Sequence, residues 1–147
     1  MSDIGKERHP AFVVDQMLGE LARWLRLLGY DAYYSKELND DELIEFSKDE
    51  NRALVTCDQR LYSRAMKKGV RALLLRPDNL VNRLVVLART YGIELRIKPE
   101  DSRCPLCNGE IREVDDLAKL DGRVPSKILS TNRKFWVCNN CSHVYWV

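Results

Sequence analysis

Apolar and polar positions along the first two thirds of the chain repeat in a strand-then-helix rhythm. Phe12-Val13-Val14-Asp15 is a short apolar run ending in a carboxylate. After it, Met17, Leu18, Leu21, Ala22, Trp24, Leu25 and Leu28 recur at the i, i+3, i+4, i+7 spacing of a helix with one buried face, and Gly29 is placed to stop it. Tyr33-Tyr34 leads to Asn39-Asp40-Asp41-Glu42, where Asn39 and Glu42 have the spacing of a capping box, with Leu43, Ile44 and Phe46 turned inward behind them. Ala53-Leu54-Val55-Thr56-Cys57 is a third apolar strand that exits at Asp58, and a helix from Arg60 carries Leu61, Ala65 and Met66. Ala72 to Leu75 reads as a fourth strand, Asp78 as the cap of a helix striped by Leu80, Val81, Leu84, Val85, Leu87 and Ala88, and Glu94 to Ile97 as a last strand. Strands alternating with helices predict an α/β fold with a parallel sheet between two layers of helices.

In a parallel sheet the carboxyl ends of the strands lie on one edge, where such folds place their sites. Three successive strand exits here deliver acids: Asp15, the run Asp40-Asp41-Glu42, and Asp58. With Asn39 and Glu42 engaged in the capping box, Asp41 is the free carboxylate of the middle run. Carboxylates are the hard oxygen ligands that Mg²⁺ and Mn²⁺ prefer, and such an ion activates water against a phosphodiester. Asp15, Asp41 and Asp58 are therefore the candidate catalytic metal ligands, with Asp40 and Glu42 beside them. The plainer reading is that the acids at the helix starts only complement the helix dipoles. The polar face of the first helix carries Gln16, Glu20, Arg23 and Arg26. Arg23 and Arg26 are candidates to grip substrate phosphates, since guanidinium forks match phosphate oxygens; the alternative is a solvated face with a Glu20–Arg23 pair.

The last third of the chain changes character. After the polar linker Lys98 to Arg103 come Cys104-Pro105-Leu106-Cys107 and Cys138-Asn139-Asn140-Cys141, two C-x-x-C pairs that form the ligand set of a tetrahedral zinc site. Four protein thiolates close the coordination sphere, so this zinc is structural. Gly109 suits a tight turn after the first pair, Cys57 is left over as a small buried hydrophobe, and the stretch from Asn108 to Val137 gives no clear helix. With little core expected in this module, Phe135, Trp136, Tyr145 and Trp146 pack over the zinc or against the first domain, or, with Arg133 and Lys134, stack on unpaired bases. The domain boundaries read as 10–97 and 98–147.

Composition narrows the picture from outside. A chain of 147 residues with 45% hydrophobic positions can build a real core, and 24 basic against 22 acidic residues leave a net charge of +2, so any nucleic-acid-binding surface is local. No apolar run reaches the roughly 18 residues of a membrane span and Met1 to Arg8 has no signal-like core, so a cytoplasmic protein is expected. G-x-G-x-x-G and G-x-x-x-x-G-K-[ST] are both missing, which removes the dinucleotide and P-loop readings. His9 and His143 are the only histidines and belong to different modules, against a paired-histidine nuclease, and Asp15 is followed by Gln16-Met17 rather than by a D-x-D.

The run Phe12 to Asp31, together with Asp41-Glu42-Leu43 and Thr56-Cys57-Asp58-Gln59-Arg60-Leu61, resembles the mut-seven C-terminal RNase domain family over about residues 10 to 147. The resemblance implies a PIN-like three-layer α/β domain with a parallel sheet, followed by a small Cys₄ zinc ribbon. It implies metal-dependent cleavage of RNA with Asp15, Asp41 and Asp58 at the acidic positions, Mg²⁺ or Mn²⁺ as catalytic cofactor and Zn²⁺ as structural one. RNA is the expected partner, alone or within a ribonucleoprotein or ribosome. The further acid that many PIN domains carry after the third is missing, since the stretch reads Gln59-Arg60-Leu61-Tyr62, and Cys57 stands where the family often has Arg. An adaptor that binds RNA or a ribonucleoprotein through a degenerate site is the competing reading.

Overall fold

The computed structural model describes residues 9–132 and 134–146; the segment Met1 to Arg8, Arg133 and Val147 lie outside the described residues. Four parallel strands, β1 (Phe12–Val14), β2 (Ala32–Tyr34), β3 (Ala53–Thr56) and β4 (Ala72–Leu74), form a sheet in the order β2-β1-β3-β4. The helices between them are α1 (Gly19–Leu27), α2 (Asp40–Asp49), α3 (Gln59–Lys67) and α4 (Leu80–Tyr91). The chain leaves β1 toward β2 and then returns across β1 to β3. With right-handed crossovers this reversal moves the following helices to the opposite face.

The strand alternation shows the two faces directly. Phe12, Val14, Ala53 and Val55 pack with Leu21, Ala22 and Leu25 of α1 and Leu87 of α4, whereas Val13 and Leu54 pack with Leu43 and Ile44 of α2 and Leu61 and Ala65 of α3. Side chains on a strand point to alternate faces, so a run such as Phe12-Val13-Val14 is apolar throughout because both faces are covered.

Three expectations change. The helix after Asp15 begins with a 3₁₀ turn, Gln16–Leu18, before the regular α1. Asn79, not Asp78, caps α4: its side chain accepts from the Asn82 amide at 2.8 Å, while Asp78 sits one position outside and accepts from the Asn79 amide. Glu94 to Ile97 forms no strand, because the Glu94 amide donates to the Tyr30 hydroxyl instead of to a ladder. Gly29 does end α1 at φ +98°, and a Cβ there would meet the Asp101 carbonyl at 2.9 Å, so the linker to the second module crosses directly over this glycine.

The second sheet is antiparallel, β5 (Ile111–Glu113), β6 (Phe135–Cys138) and β7 (Val144–Trp146), in that order. Between β5 and β6 lie a 3₁₀ turn at Leu117–Leu120 and a short helix α5 (Ser126–Thr131), in the stretch where the sequence shows no clear helix. These elements give the ribbon a core after all: Val114, Leu120, Val124, Phe135 and Val137 are buried together. Phe135 is thus committed to that core and Trp136 is buried, which leaves Trp146 as the exposed aromatic of the four. No helix among the described residues is long and apolar enough to cross a membrane.

Candidate functional site

The strand order reverses between β1 and β3, and a crevice at such a switch point is where open α/β sheets bind ligands. Asp15 leaves β1 on one side of it, and Thr56 ends β3 on the other. The register Val14↔Val55 makes these two residues neighbours. The Thr56 hydroxyl donates to Asp15 Oδ2 at 2.7 Å and accepts from the Asp58 amide at 2.9 Å. A hydroxyl has one proton to give, so Asp15 serves here as acceptor. Asp15 is buried and Asp58 is exposed. Asp58 caps α3, its Oδ1 accepting from the amides of Arg60 and Leu61, a second duty that its place at a strand exit conceals. Among the described residues, Asp15 Oδ1 and Asp58 Oδ2 have no protein partner.

The middle acids divide as the capping signal indicates, with one correction. Asn39 and Glu42 form the capping box of α2. Asp41 is not free: Arg64 of α3, which packs beside α2, pairs with it and lies 3.6 Å from Asp40. Consequently Asp15, Asp41 and Asp58 do not form one close ligand cluster among the described residues. Asp15 and Asp58 still suit a hard divalent ion, which takes one or two carboxylates and leaves its other positions to water and phosphate.

Arg23 lies exposed on α1 and forms no ion pair with Glu20. Arg26 differs from its expected place on the solvated face and is 6% exposed. The helix turns it toward the ribbon, where its Nε donates to the Ala32 carbonyl at 2.9 Å and its Nη1 to the Pro105 carbonyl at 2.8 Å. Burial lowers its pKa, opposed by the nearby thiols of Cys104 and Cys107 and by Asp31. Arg26 is one part of a joint. Asn108 donates to Asp31 at 2.7 Å and accepts from the Ala32 amide, the Arg103 amide donates to the Arg26 carbonyl, and Arg52 grips Asp31 with both guanidinium arms. Asn108 is left-handed at φ +71°, a conformation Asn tolerates better than most residues.

The four cysteines form the one metal-ligand cluster found among the described residues, with all four Sγ atoms within 4.8 Å of one another. Cys104 and Cys141 are 3.6 Å apart, Cys107 and Cys138 3.5 Å. A ZnS₄ tetrahedron with bonds of about 2.3 Å has edges of about 3.8 Å, so the set fits a structural zinc. Hydrogen bonds agree with thiolates: the Asn140 and Cys141 amides point at Cys138 Sγ and the Asn140 side chain at Cys107 Sγ. Burial works against ionising Cys107, but Asn140, the Gly109 amide and the adjoining thiols bring it down to about 6. The His143 backbone works to lower Cys141, but burial and the neighbouring thiols push it up to about 12. Four thiols this close cannot all ionise without a cation among them. Gly109 is explained by the same crowding, since a Cβ there would meet Cys138 Sγ at 3.0 Å. Tyr145 packs over the site with its hydroxyl 2.8 Å from Cys104 Sγ, and the thiols and burial raise its pKa.

A family model for the Mut7-C RNase domain matches residues 10–147. The chain belongs to the Mut7-C RNase domain family. No curated protein and no solved structure matches it. For this Mut7-C chain, family membership points to a nuclease with RNA as its substrate, and the four cysteines fit the structural zinc of its ribbon. The sequence reading missed Thr56 as the residue joining the two acids. Its signal is present, because Thr56 and Asp58 are two apart at a strand end and thus share a side.

Proposed function

We propose that this Mut7-C chain is a metal-dependent ribonuclease that hydrolyses RNA phosphodiester bonds in the crevice between β1 and β3. Asp15 and Asp58 hold a Mg²⁺ or Mn²⁺ ion, and residues 98–147 act as a zinc ribbon that helps to hold the RNA. The observation that carries the reading is the buried Asp15 carboxylate at the switch point, fixed by Thr56, with one oxygen left unpartnered. When bound there, the ion lowers the pKa of an attacking water and stabilises the leaving oxygen. Thr56 keeps Asp15 oriented by donating to its Oδ2, and Asp58 presents Oδ2 while its Oδ1 remains with α3. Asp41, paired with Arg64, stands outside this pair of ligands. Four ribbon cysteines set as metal ligands instead of disulfides accord with a reducing, cytoplasmic setting.

One observation favours a second reading. Asp41 and half of Asp58 are already engaged, as in an adaptor that binds RNA or a ribonucleoprotein through a site that no longer cuts. Incubating labelled, partly structured RNA with the zinc-loaded protein and Mn²⁺ or Mg²⁺ separates the two. Cutting that needs the added metal and is lost in Asp15→Asn and Asp58→Asn supports the nuclease. RNA that is bound but never cut supports the adaptor.

A further inference from the structure

Beside the acid site, a pocket of about 260 Å³ opens between α1, the loop after β2 and the first zinc knuckle. Three cations line it: Arg23 and Arg26 from α1 and Lys36 from the loop. Arg23 and Lys36 pair with no acid among the described residues, although 22 acidic residues are available in the chain. Arg26 carries the argument further. Its side chain is more than nine-tenths buried, its Nε and Nη1 are taken by the Ala32 and Pro105 carbonyls, and neither partner is charged. Among the described residues Nη2 has no protein partner, in a side chain that lines the pocket. A buried guanidinium held by carbonyls, with a nitrogen to spare and two unpaired cations beside it, is built to receive an anion with several oxygens.

One wall of the pocket is tied to the chain beside the acid site. The Tyr34 side chain on its wall donates to the Gln16 carbonyl at 2.7 Å, in the turn that directly follows Asp15. On the far side, Leu106 at the tip of the zinc knuckle is 58% exposed, an apolar surface with nothing of the protein over it. Charge on one wall and an exposed apolar tip on the other match a strand whose phosphates and unpaired bases are both available.

We infer that this pocket is a phosphate subsite for single-stranded RNA: Arg23, Arg26 and Lys36 hold a backbone phosphate displaced from the scissile one, and a neighbouring base rests on Leu106. The inference rests on the reading that the chain acts on RNA, and it deepens that reading by giving the zinc knuckle a direct contact with substrate. Net charge conceals the subsite, because the overall balance of +2 says nothing of three cations gathered in one place.

The test is binding of a fluorescein-labelled single-stranded RNA to zinc-loaded Asp15→Asn protein without added Mg²⁺ or Mn²⁺, followed by anisotropy from low to moderate salt. Arg23→Ala combined with Lys36→Ala is expected to weaken binding and to flatten the slope of log K against log salt by about 0.7 for each phosphate contact removed. Leu106→Ala should weaken binding with the slope unchanged. Lys67→Ala combined with Lys68→Ala, the same charge change at the exposed end of α3, is the control. If the Arg23–Lys36 double variant keeps the wild-type affinity and slope, or matches the Lys67–Lys68 control, the subsite is overturned. A cleavage assay on the wild-type protein keeps the two readings apart. Cutting together with an unchanged slope defeats the subsite alone, whereas a flattened slope without any cutting defeats the nuclease alone.

Discussion

Thr56 donates its one hydroxyl proton to Asp15 Oδ2 at 2.7 Å, and the Thr56 hydroxyl oxygen accepts from the Asp58 amide. One side chain therefore ties the carboxyl ends of two neighbouring strands. Thr56→Val keeps the shape and removes the tie. It leaves a buried carboxylate oxygen and an amide short of a partner, which should reduce stability by about 1–3 kcal/mol. Outer residues that orient metal ligands typically matter by 10- to 100-fold in metal affinity. The Mn²⁺ concentration for half-maximal cleavage should rise by that order while the far-ultraviolet spectrum stays unchanged. A variant with the wild-type Mn²⁺ dependence would remove Thr56 from the site.

Asp15 and Asp41 should differ in weight. Asp15→Asn replaces a buried acceptor and should abolish metal-dependent cleavage. Asp41→Asn changes an exposed carboxylate already held by Arg64, and cleavage should fall only a few-fold, with the melting temperature little altered. Single-turnover rates of the two variants on one RNA decide the matter. Equal losses would return Asp41 to the metal.

One zinc ion per chain is expected from elemental analysis, and Cys138→Ser should lose it. Because ligand binding and folding are coupled in small metal modules, EDTA should loosen the ribbon core around Phe135 and Leu120. Of the three tryptophans, Trp136 is the buried one, so a red shift of the emission reports that loosening.

The joint between the modules should respond to acid. Burial opposes ionisation of Asp31, but the hydrogen bonds from Arg52 and Asn108 and the Arg52 charge prevail and hold its pKa below the usual carboxylate range. The folded value is thus lower than the unfolded one near 3.9. The stabilisation from Asp31 is complete above that unfolded value and fades as the pH falls through the folded value. Melting temperatures of wild type and Asp31→Asn should differ most near neutrality and converge below about pH 4. Parallel curves across the acid range would show that the carboxylate charge does not matter.

Asn108 gives the matching test from the ribbon side. Asn108→Ala loses the bonds to Asp31 and Ala32 and sets at φ +71° a residue that tolerates that conformation less well than asparagine, for a combined loss of about 2–3 kcal/mol. Asn108→Gly relieves the backbone strain and should be less harmful than alanine. Urea midpoints order the three proteins.

Much of this architecture was legible in the chain because alternation and helical spacing are local signals. The four strands, the helix stripes, the Asn39–Glu42 capping box and the paired cysteines are each readable within a dozen residues. Contacts across the chain were not. Arg26 follows Arg23 by three positions and looks like its companion, but Pro105 and Ala32 claim it, and no local pattern records that. Asp41 looked free because Arg64 is 23 residues away. The stretch 108–137 showed no helix because its elements are too short for a stripe, although their few apolar residues suffice to close around Phe135.

The helix α1 begins just after the acid that would cut and ends with Arg26 and Leu27 bonded to the segment that carries the first knuckle. Nine residues at 1.5 Å each span about 13 Å, and a helix fixed at both ends does not stretch. On the proposed function it would serve as a measuring rod: a strand gripped at the knuckle would reach the crevice at one set distance, and the position of the cut would be counted from the point of grip instead of being read from the bases.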